Sequence, residues 1–205
     1  MAALRSIVPV DDDVERVEVT SVEGLHAWLS EHHLDRSRAL LVRWKKGRGA
    51  YVAHADVVRV LLCFGWIDTT ARAVDDDRAA IMITPRRPTS GWSRVNKEHV
   101  EHLLATGRMQ PAGQAAIDRA KANGSWSALD EVETLTEPDD LRAALDAVPV
   151  ARAEWDGFPR STRRAILEWI STARRTETRE RRVRQTVDEA AAGRRANQPR
   201  QLKGR

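Results

Sequence analysis

The first part of the chain alternates between strand-like and helix-like patterns of apolar residues. Short runs that alternate, or that are rich in β-branched residues, predict strands, and apolar residues repeated every three or four positions predict helices. The predicted strands are residues 15–19, 39–44, 66–74 and 78–84. The predicted helices are residues 21–33, 55–64, a segment carrying Val100, Leu103 and Leu104, and residues 112–122. This mixture predicts an α+β domain over residues 15–130.

The last two of these strands form a predicted hairpin. Asp75, Asp76 and Asp77 make a polar turn between them, and Pro85 ends the second strand. We therefore expect a small antiparallel sheet packed with helices. A serine or threonine after Pro88 can cap the helix that follows.

From Glu137 onward the pattern is helical throughout, which predicts an all-helical C-terminal region over residues 137–193. Its apolar stripes are Leu141, Ala144, Leu145 and Val148, then Ile166, Leu167 and Ile170, then Val183, Val187 and Ala190. Residues 1–14 show no periodicity, and we expect a flexible leader there. Residues 194–205 are basic and poor in apolar side chains, so we expect a disordered tail.

Composition places the chain among globular proteins without naming a reaction. Hydrophobic residues make up 41% and charged residues 31% of its 205 residues. The most apolar stretch, residues 57–66, is interrupted by Arg59 and is too short to span a membrane. The single cysteine, Cys63, lies in that stretch, where we expect a small hydrophobic group and not a nucleophile. One cysteine and a beginning without an export signal predict a cytoplasmic protein.

Positive charge is concentrated near the C-terminus. The net charge is +4, and residues 174–205 hold eleven Lys or Arg against four Asp or Glu, so the rest of the chain is close to neutral. Arginine on a helix suits phosphate backbones, which predicts RNA or DNA binding there. The alternative is that these charges only solvate the helix. The candidate nucleic-acid-binding residues are Arg174, Arg175, Arg179, Arg181, Arg182 and Arg184.

A second candidate site, which we name the arginine turn, comprises residues 85–93. Arg86 and Arg87 stand between two prolines, so we expect both side chains to project from a rigid turn. Unpaired N–H groups at the start of the following helix, beside guanidinium groups, suit a phosphate or carboxylate. The candidate ligand-binding residues are Trp66, Asp68, Arg86, Arg87, Ser90, Trp92, Ser93 and Asn96. The alternative is that Asp68 pairs with one of the arginines and only fixes the turn.

Other patterns indicate less chemistry. His99 and His102 stand three residues apart on a predicted helix, a spacing that can hold a metal, but no third ligand follows at a recognisable distance. The sequence has no glycine-rich phosphate loop, HExxH motif or GxSxG elbow. We therefore predict no metal and no cofactor.

Several short segments carry a family resemblance. They are residues 62–68 (Leu-Cys-Phe-Gly-Trp-Ile-Asp), 85–96, 104–113, 120–126, 161–164, 169–170 and 173–182 (Ala-Arg-Arg-Thr-Glu-Thr-Arg-Glu-Arg-Arg). Together they resemble the YdeI/OmpD-associated (OmdA) family, also labelled bacteriocin-protection proteins, over about residues 17–193. Arg174 stands where the family pattern usually has lysine. The resemblance implies a role in tolerance of envelope stress or antimicrobial peptides, and it implies no settled reaction.

Three functions remain open from the sequence. The first is a cytoplasmic OmdA-like protein that binds an anionic small ligand at the arginine turn. The second is a nucleic-acid-binding or ribosome-associated protein that uses the C-terminal arginines and tail. The third is an enzyme in the same pocket, with Asp68 as base and the arginines stabilising charge, although the sequence places no histidine, serine or cysteine nucleophile to assist it.

Overall fold

The computed structural model of the chain describes residues 14–197. Contacts between residues divide the chain into two compact units, the first ending at Ser127 and the second beginning at Ala128. The α+β class is confirmed, because unit 1 combines strands with helices and the described part of unit 2 is helical. Residues 1–13 of the predicted leader and residues 198–205 of the predicted tail lie outside the described residues.

Unit 1 combines a four-stranded sheet with helices. Its elements in chain order are β1 (Arg16–Val19), α1 (Val22–His32), β2 (Ala39–Trp44), α2 (His54–Cys63), β3 (Trp66–Ala73), β4 (Arg78–Pro85), α3 (Arg94–Ala105) and α4 (Pro111–Ala122). The strand order in the sheet is β1-β2-β4-β3. The predicted hairpin of β3 and β4 is confirmed, with Asp68 opposite Ile83, and β2 is antiparallel to β4.

One strand pair runs in parallel, so the sheet is mixed: the predicted antiparallel arrangement holds for β2, β3 and β4, and β1 departs from it. Val17 on β1 lies opposite Leu41 on β2 in the parallel register. A hairpin loop reverses the chain direction, whereas α1 carries the chain back before β2 begins, so that both strands point the same way. The alternation of apolar residues in β1 does not encode that direction.

Serine residues cap two helices of unit 1. The side chain of Ser21 accepts a hydrogen bond of 3.0 Å from the N–H of Gly24. Ser21 is therefore the cap and α1 begins at Val22, one residue later than if Thr20 were the cap and Glu23 completed a capping box. The predicted cap of α3 is Ser93, whose Oγ accepts a hydrogen bond of 3.3 Å from the N–H of Asn96. Each cap satisfies one of the N–H groups that a helix start leaves without an intrahelical partner.

The core of unit 1 lies between the sheet and the helices. Its fully buried side chains include Leu25, Leu29, Leu41, Leu61, Leu62, Trp66, Ile83, Trp92, Leu103 and Ile117. Burying one such side chain stabilises the fold by about 1.5–3 kcal/mol. Helix α4 approaches α2 so closely that a Cβ added at Gly113 would overlap the carbonyl oxygens of Leu62 and Cys63.

Unit 2 is built from short helices around its own core. They are α5 (Asp130–Glu133), α6 (Asp139–Asp146), α7 (Pro149–Gly157), α8 (Arg160–Ser171) and α9 (Thr176–Ala191). The three predicted apolar stripes all contribute to this core. Residues 194–197 of the predicted tail also pack on it, since Ala196 is buried and Arg194 forms an ion pair of 2.5 Å with Glu189. Among the described residues, no helix has both the length and the apolar character that crossing a membrane requires.

Candidate functional site

Hydrogen bonds hold the arginine turn to the rest of unit 1 at two residues, Arg86 and Pro88. The backbone N–H of Arg86 donates to the carbonyl of Gly65, at 2.8 Å, just beyond α2. The carbonyl of Pro88 accepts hydrogen bonds of 2.9 Å from Asn123 Nδ2 and Ser125 Oγ, just beyond α4. The turn therefore has a fixed path between β4 and α3.

The side chain of Arg86 folds back into the protein. It is only 7% exposed, its Cζ lies 3.9 Å from the centroid of the Trp92 ring, and its Nη2 donates to the carbonyl of Gly91. Its Nε and Nη1 are buried and have no hydrogen-bond partner among residues 14–197. Desolvation lowers the pKa of Arg86 to about 10, because burial disfavours the charged form, and the nearby charge of Asp68 acts in the opposite direction.

The two arginines of the turn therefore differ. Arg87 is exposed and projects from the turn, whereas the expectation that Arg86 also projects from it was wrong. The ring that shields Arg86 belongs to Trp92, near the other end of the same turn, and the pattern of the sequence does not show that the turn folds this ring against Arg86. Trp66 and Trp92 are each 1% exposed and belong to the core of unit 1. Trp66 donates its Nε1–H to the carbonyl of His33, at 3.3 Å, and is held inside the fold.

The other candidate residues border the turn without forming one polar cluster. Ser90 and Asn96 are half-buried, and Ser93 is the cap of α3. The carboxylate of Asp68 lies 3.6 Å from His54 Nε2. Within the part of the chain that the structure describes, Asp68 has no ion pair with either arginine of the turn. The alternative, in which such a pair fixes the turn, is therefore not what the structure has.

The six C-terminal arginines fall into two groups. Arg179 donates two hydrogen bonds, of 2.6 and 2.9 Å, to the carboxylate of Asp140 on α6. Arg182 donates to the carbonyl of Trp169 on α8, and its Cζ lies 5.0 Å from the centroid of that ring. The exposed members are Arg174, Arg175, Arg181 and Arg184. Two of the six candidate nucleic-acid-binding arginines, Arg179 and Arg182, therefore hold α9 against its neighbours.

Unit 1 also contains a cavity of about 500 Å³ that the sequence analysis did not find. Its walls come from α1, α2, the last turn of α3 and the loop after α3. Arg59, Cys63 and Arg108 are among the lining residues. Periodicity gave no signal for it, because the lining residues belong to segments far apart in the chain.

The histidines that we considered as metal ligands have other neighbours. His102 Nε2 lies 2.5 Å from a guanidinium nitrogen of Arg108, which is a donor, so His102 must accept through this nitrogen. Across residues 14–197 there is no group of three or more His, Cys, Asp or Glu side chains placed to hold a metal ion.

For each unit, comparison with known proteins finds a family model that matches one segment of it. The chain is an α+β protein in which a domain with a buried arginine precedes a helical domain with an arginine-bearing helix. Residues 134–193, within unit 2, match the family described as Bacteriocin-protection, YdeI or OmpD-Associated (OmdA), and the predicted resemblance is confirmed for this region. Residues 17–116 match a domain of unknown function (DUF8412), which contains the motifs at residues 62–68 and 85–96. No curated protein and no solved structure matches the chain.

Proposed function

We propose that the protein is a cytoplasmic bacteriocin-protection protein that binds a small anion at the arginine turn. The OmdA match over residues 134–193 supports bacteriocin protection at the level of the family. The anion-binding part rests on one observation, which is the buried guanidinium of Arg86 with two nitrogen atoms that have no partner. The buried thiol of Cys63, the single cysteine, is compatible with a reducing compartment.

A buried guanidinium without a carboxylate partner is costly, because its charge has lost its hydration. The lowered pKa of Arg86 reflects that cost. An anion that reaches Nε or Nη1 would supply charge-assisted hydrogen bonds and offset it. Because both atoms are buried, groups that cover them must move when the anion enters.

Two neighbouring features favour the same ligand chemistry. Arg87 is exposed on the next residue of the turn and can attract the anion from solvent. The start of α3, with the cap at Ser93, adds the positive end of a helix dipole. Phosphate and carboxylate are therefore the expected headgroups.

The test is a calorimetric titration of the full chain with inorganic phosphate and with acetate. We expect Arg87→Ala to weaken phosphate binding about tenfold or more, because charged hydrogen bonds contribute about 1.5–3 kcal/mol. Arg16→Ala on β1, at the opposite edge of the sheet from β3, is the control and should bind like the wild type. Equal affinity for the wild type and Arg87→Ala, or no binding of either anion, would contradict anion binding at the turn.

A second candidate function is weak binding of RNA or DNA through unit 2. It is favoured by the four arginines near the start of α9 that are exposed, namely Arg174, Arg175, Arg181 and Arg184. Deleting residues 174–205 is a poor test, because α9 contributes Val183, Val187 and Ala190 to the core. Replacing the four exposed arginines with glutamine keeps that core.

We expect binding of a single-stranded RNA to depend less steeply on salt in this fourfold variant. Four lost phosphate contacts would make the slope of log K against log salt less negative by about 3. The control replaces four arginines of unit 1, Arg16, Arg48, Arg72 and Arg119, and loses the same charge. Equal slopes for the two variants would show that net charge alone is responsible and would remove this candidate.

A further inference from the structure

The cavity of unit 1 lies apart from the arginine turn. The turn precedes the first residue of α3, whereas the cavity is lined by Leu103, Gly107 and Arg108 at the other end of that helix. With 12 residues, α3 is about 18 Å long. The volume of about 500 Å³ falls within the range of about 300–1,000 Å³ that is typical of small-molecule sites.

The floor of the cavity is apolar. Val60 and Cys63 of α2 and Leu103 of α3 are 6%, 3% and 2% exposed. Burial raises the pKa of the Cys63 thiol, so this group is neutral at physiological pH. The floor therefore offers favourable contacts to a hydrocarbon chain and no charge to solvate.

The rim carries a guanidinium without a carboxylate partner. Arg108 contacts His102 Nε2 and donates its Nε–H to Thr106 Oγ1 at 3.0 Å, and neither partner is a carboxylate. Among the described residues it forms no ion pair. Arg59, the other arginine of the lining, is already paired with Asp56 at 2.5 Å. The positive charge of Arg108 also acts on Cys63 in the floor, where it lowers the pKa of the thiol while burial raises it.

The backbone holds Arg108 at this place. Gly107 follows the end of α3 with φ of +65°, a value that glycine adopts without strain. The N–H of Arg108 donates to the carbonyl of Leu103 at 2.9 Å, and the N–H of Gly107 donates to that of Leu104 at 3.1 Å. These two bonds form a Schellman motif, which fixes the direction in which the chain leaves the helix.

We propose that this cavity binds a single-chain amphipathic carboxylate, with the hydrocarbon chain on the apolar floor and the headgroup at Arg108. Glu23 lines the cavity from α1 and disfavours an anion on that side, so the headgroup belongs on the α3 side. The ligand must be monoanionic and mostly apolar, because the floor offers no polar partner beyond the rim.

The experiment compares three ten-carbon probes below their micelle concentrations on the full chain: decanoate, decanol and decyltrimethylammonium. We expect decanoate to bind about tenfold more tightly than decanol and the ammonium probe not to bind. Arg108→Gln should weaken decanoate binding about tenfold and leave decanol binding unchanged. Arg119→Gln, an exposed arginine of α4 outside the lining, is the matched control.

Two further measurements locate the probe. Cys63 is the single cysteine, so its rate of alkylation reports on the cavity alone, and bound decanoate should slow it. Ala27→Phe, which fills the cavity from an exposed position of α1, should abolish decanoate binding. Equal affinities for decanoate and decanol, unchanged binding by Arg108→Gln, or unchanged binding by Ala27→Phe would each overturn the proposal. Arg87→Ala should bind decanoate normally, which separates this site from the arginine turn.

Discussion

Arg86 and Trp92 are stacked inside unit 1, with the guanidinium carbon 3.9 Å from the centre of the indole ring. Both residues are buried, so this cation–π contact is desolvated and we expect it to contribute about 2 kcal/mol. A double-mutant cycle with Arg86→Met and Trp92→Phe, measured by urea unfolding, should give a coupling free energy of that size.

The control cycle uses Lys121 and Trp126, where the ammonium nitrogen lies 5.3 Å from the ring and the lysine is exposed. Its coupling should be about 0.5–1 kcal/mol. A coupling for Arg86 and Trp92 no larger than this control would show that the stacked pair has no special strength.

The lowered pKa of Arg86 predicts an unusual response to alkaline pH. In the folded protein its pKa is lowered to about 10, below that of an arginine exposed to solvent. Above about pH 10 the unfolded chain still binds this proton and the folded protein does not. The free energy of unfolding therefore increases, and the protein becomes more stable, as the pH rises through about 10. The stability of the wild type relative to Arg86→Met should therefore rise between pH 9 and pH 11. A flat difference would indicate that Arg86 keeps an ordinary pKa.

The close approach of α4 to α2 depends on the missing side chain of Gly113. Gly113→Ala forces a methyl group against two backbone carbonyls, and overpacking of this kind typically costs about 1–3 kcal/mol. Thermal unfolding should show a clearly lower midpoint. Gly157→Ala is the control, since nothing lies within 4 Å of its added Cβ, and it should leave the midpoint nearly unchanged. Similar midpoints for the two variants would refute the close contact.

The ion pair of Asp140 and Arg179 predicts an acid-dependent contribution to stability. Hydrogen bonds from Arg179 lower the pKa of Asp140, so the pair stabilises the protein above the unfolded pKa of about 4 and is lost as pH falls through the folded value. The side chains of Arg179 and Asp140 are 31% and 44% exposed, which limits the effect on stability to about 0.5–1 kcal/mol.

Urea unfolding at pH 7 should show this loss in Asp140→Asn, and the difference from the wild type should vanish near pH 2. Asp139→Asn breaks a neighbouring pair with Arg142, in which the aspartate is 97% exposed, and should change stability by less than the Asp140 variant. A loss in Asp140→Asn that persists at pH 2 would have another origin.

A cluster of hydrogen bonds to one carboxylate, that of Glu137, links the segment just before α6 to α7 in unit 2. Glu137 accepts hydrogen bonds of 3.1 and 2.6 Å from Arg152 and one of 2.8 Å from Trp155 Nε1, and its side chain is 16% exposed. Glu137→Gln removes the most buried of the three carboxylates that pair with Arg152 and should destabilise unit 2 by about 1–3 kcal/mol. Circular dichroism during thermal unfolding is a suitable measurement. The exposed Glu154→Gln should be nearly neutral, and equal effects would argue against the cluster.

Much of the fold could be predicted because its signals are local. Strand β2 was located to the residue, and the hairpin of β3 and β4 followed from its polar turn. The three apolar stripes of unit 2 repeat at the helical period, which any helix must bury on one face. The OmdA motifs within residues 134–193 were recognised for the same reason, since they are short segments of sequence.

At the candidate sites, tertiary structure alone decided which charged side chains are buried, paired or exposed. Arg86 and Arg87 are neighbours between two prolines, yet one is buried and the other exposed, because Trp92 lies beneath only one of them. Arg179 is engaged because α6, 39 residues earlier, places Asp140 beside it. The sequence by itself determined where the chain becomes strand or helix, since that choice depends on residues a few positions apart. Which charges meet a partner or line a cavity depends on contacts between distant segments, and only the folded chain supplies them.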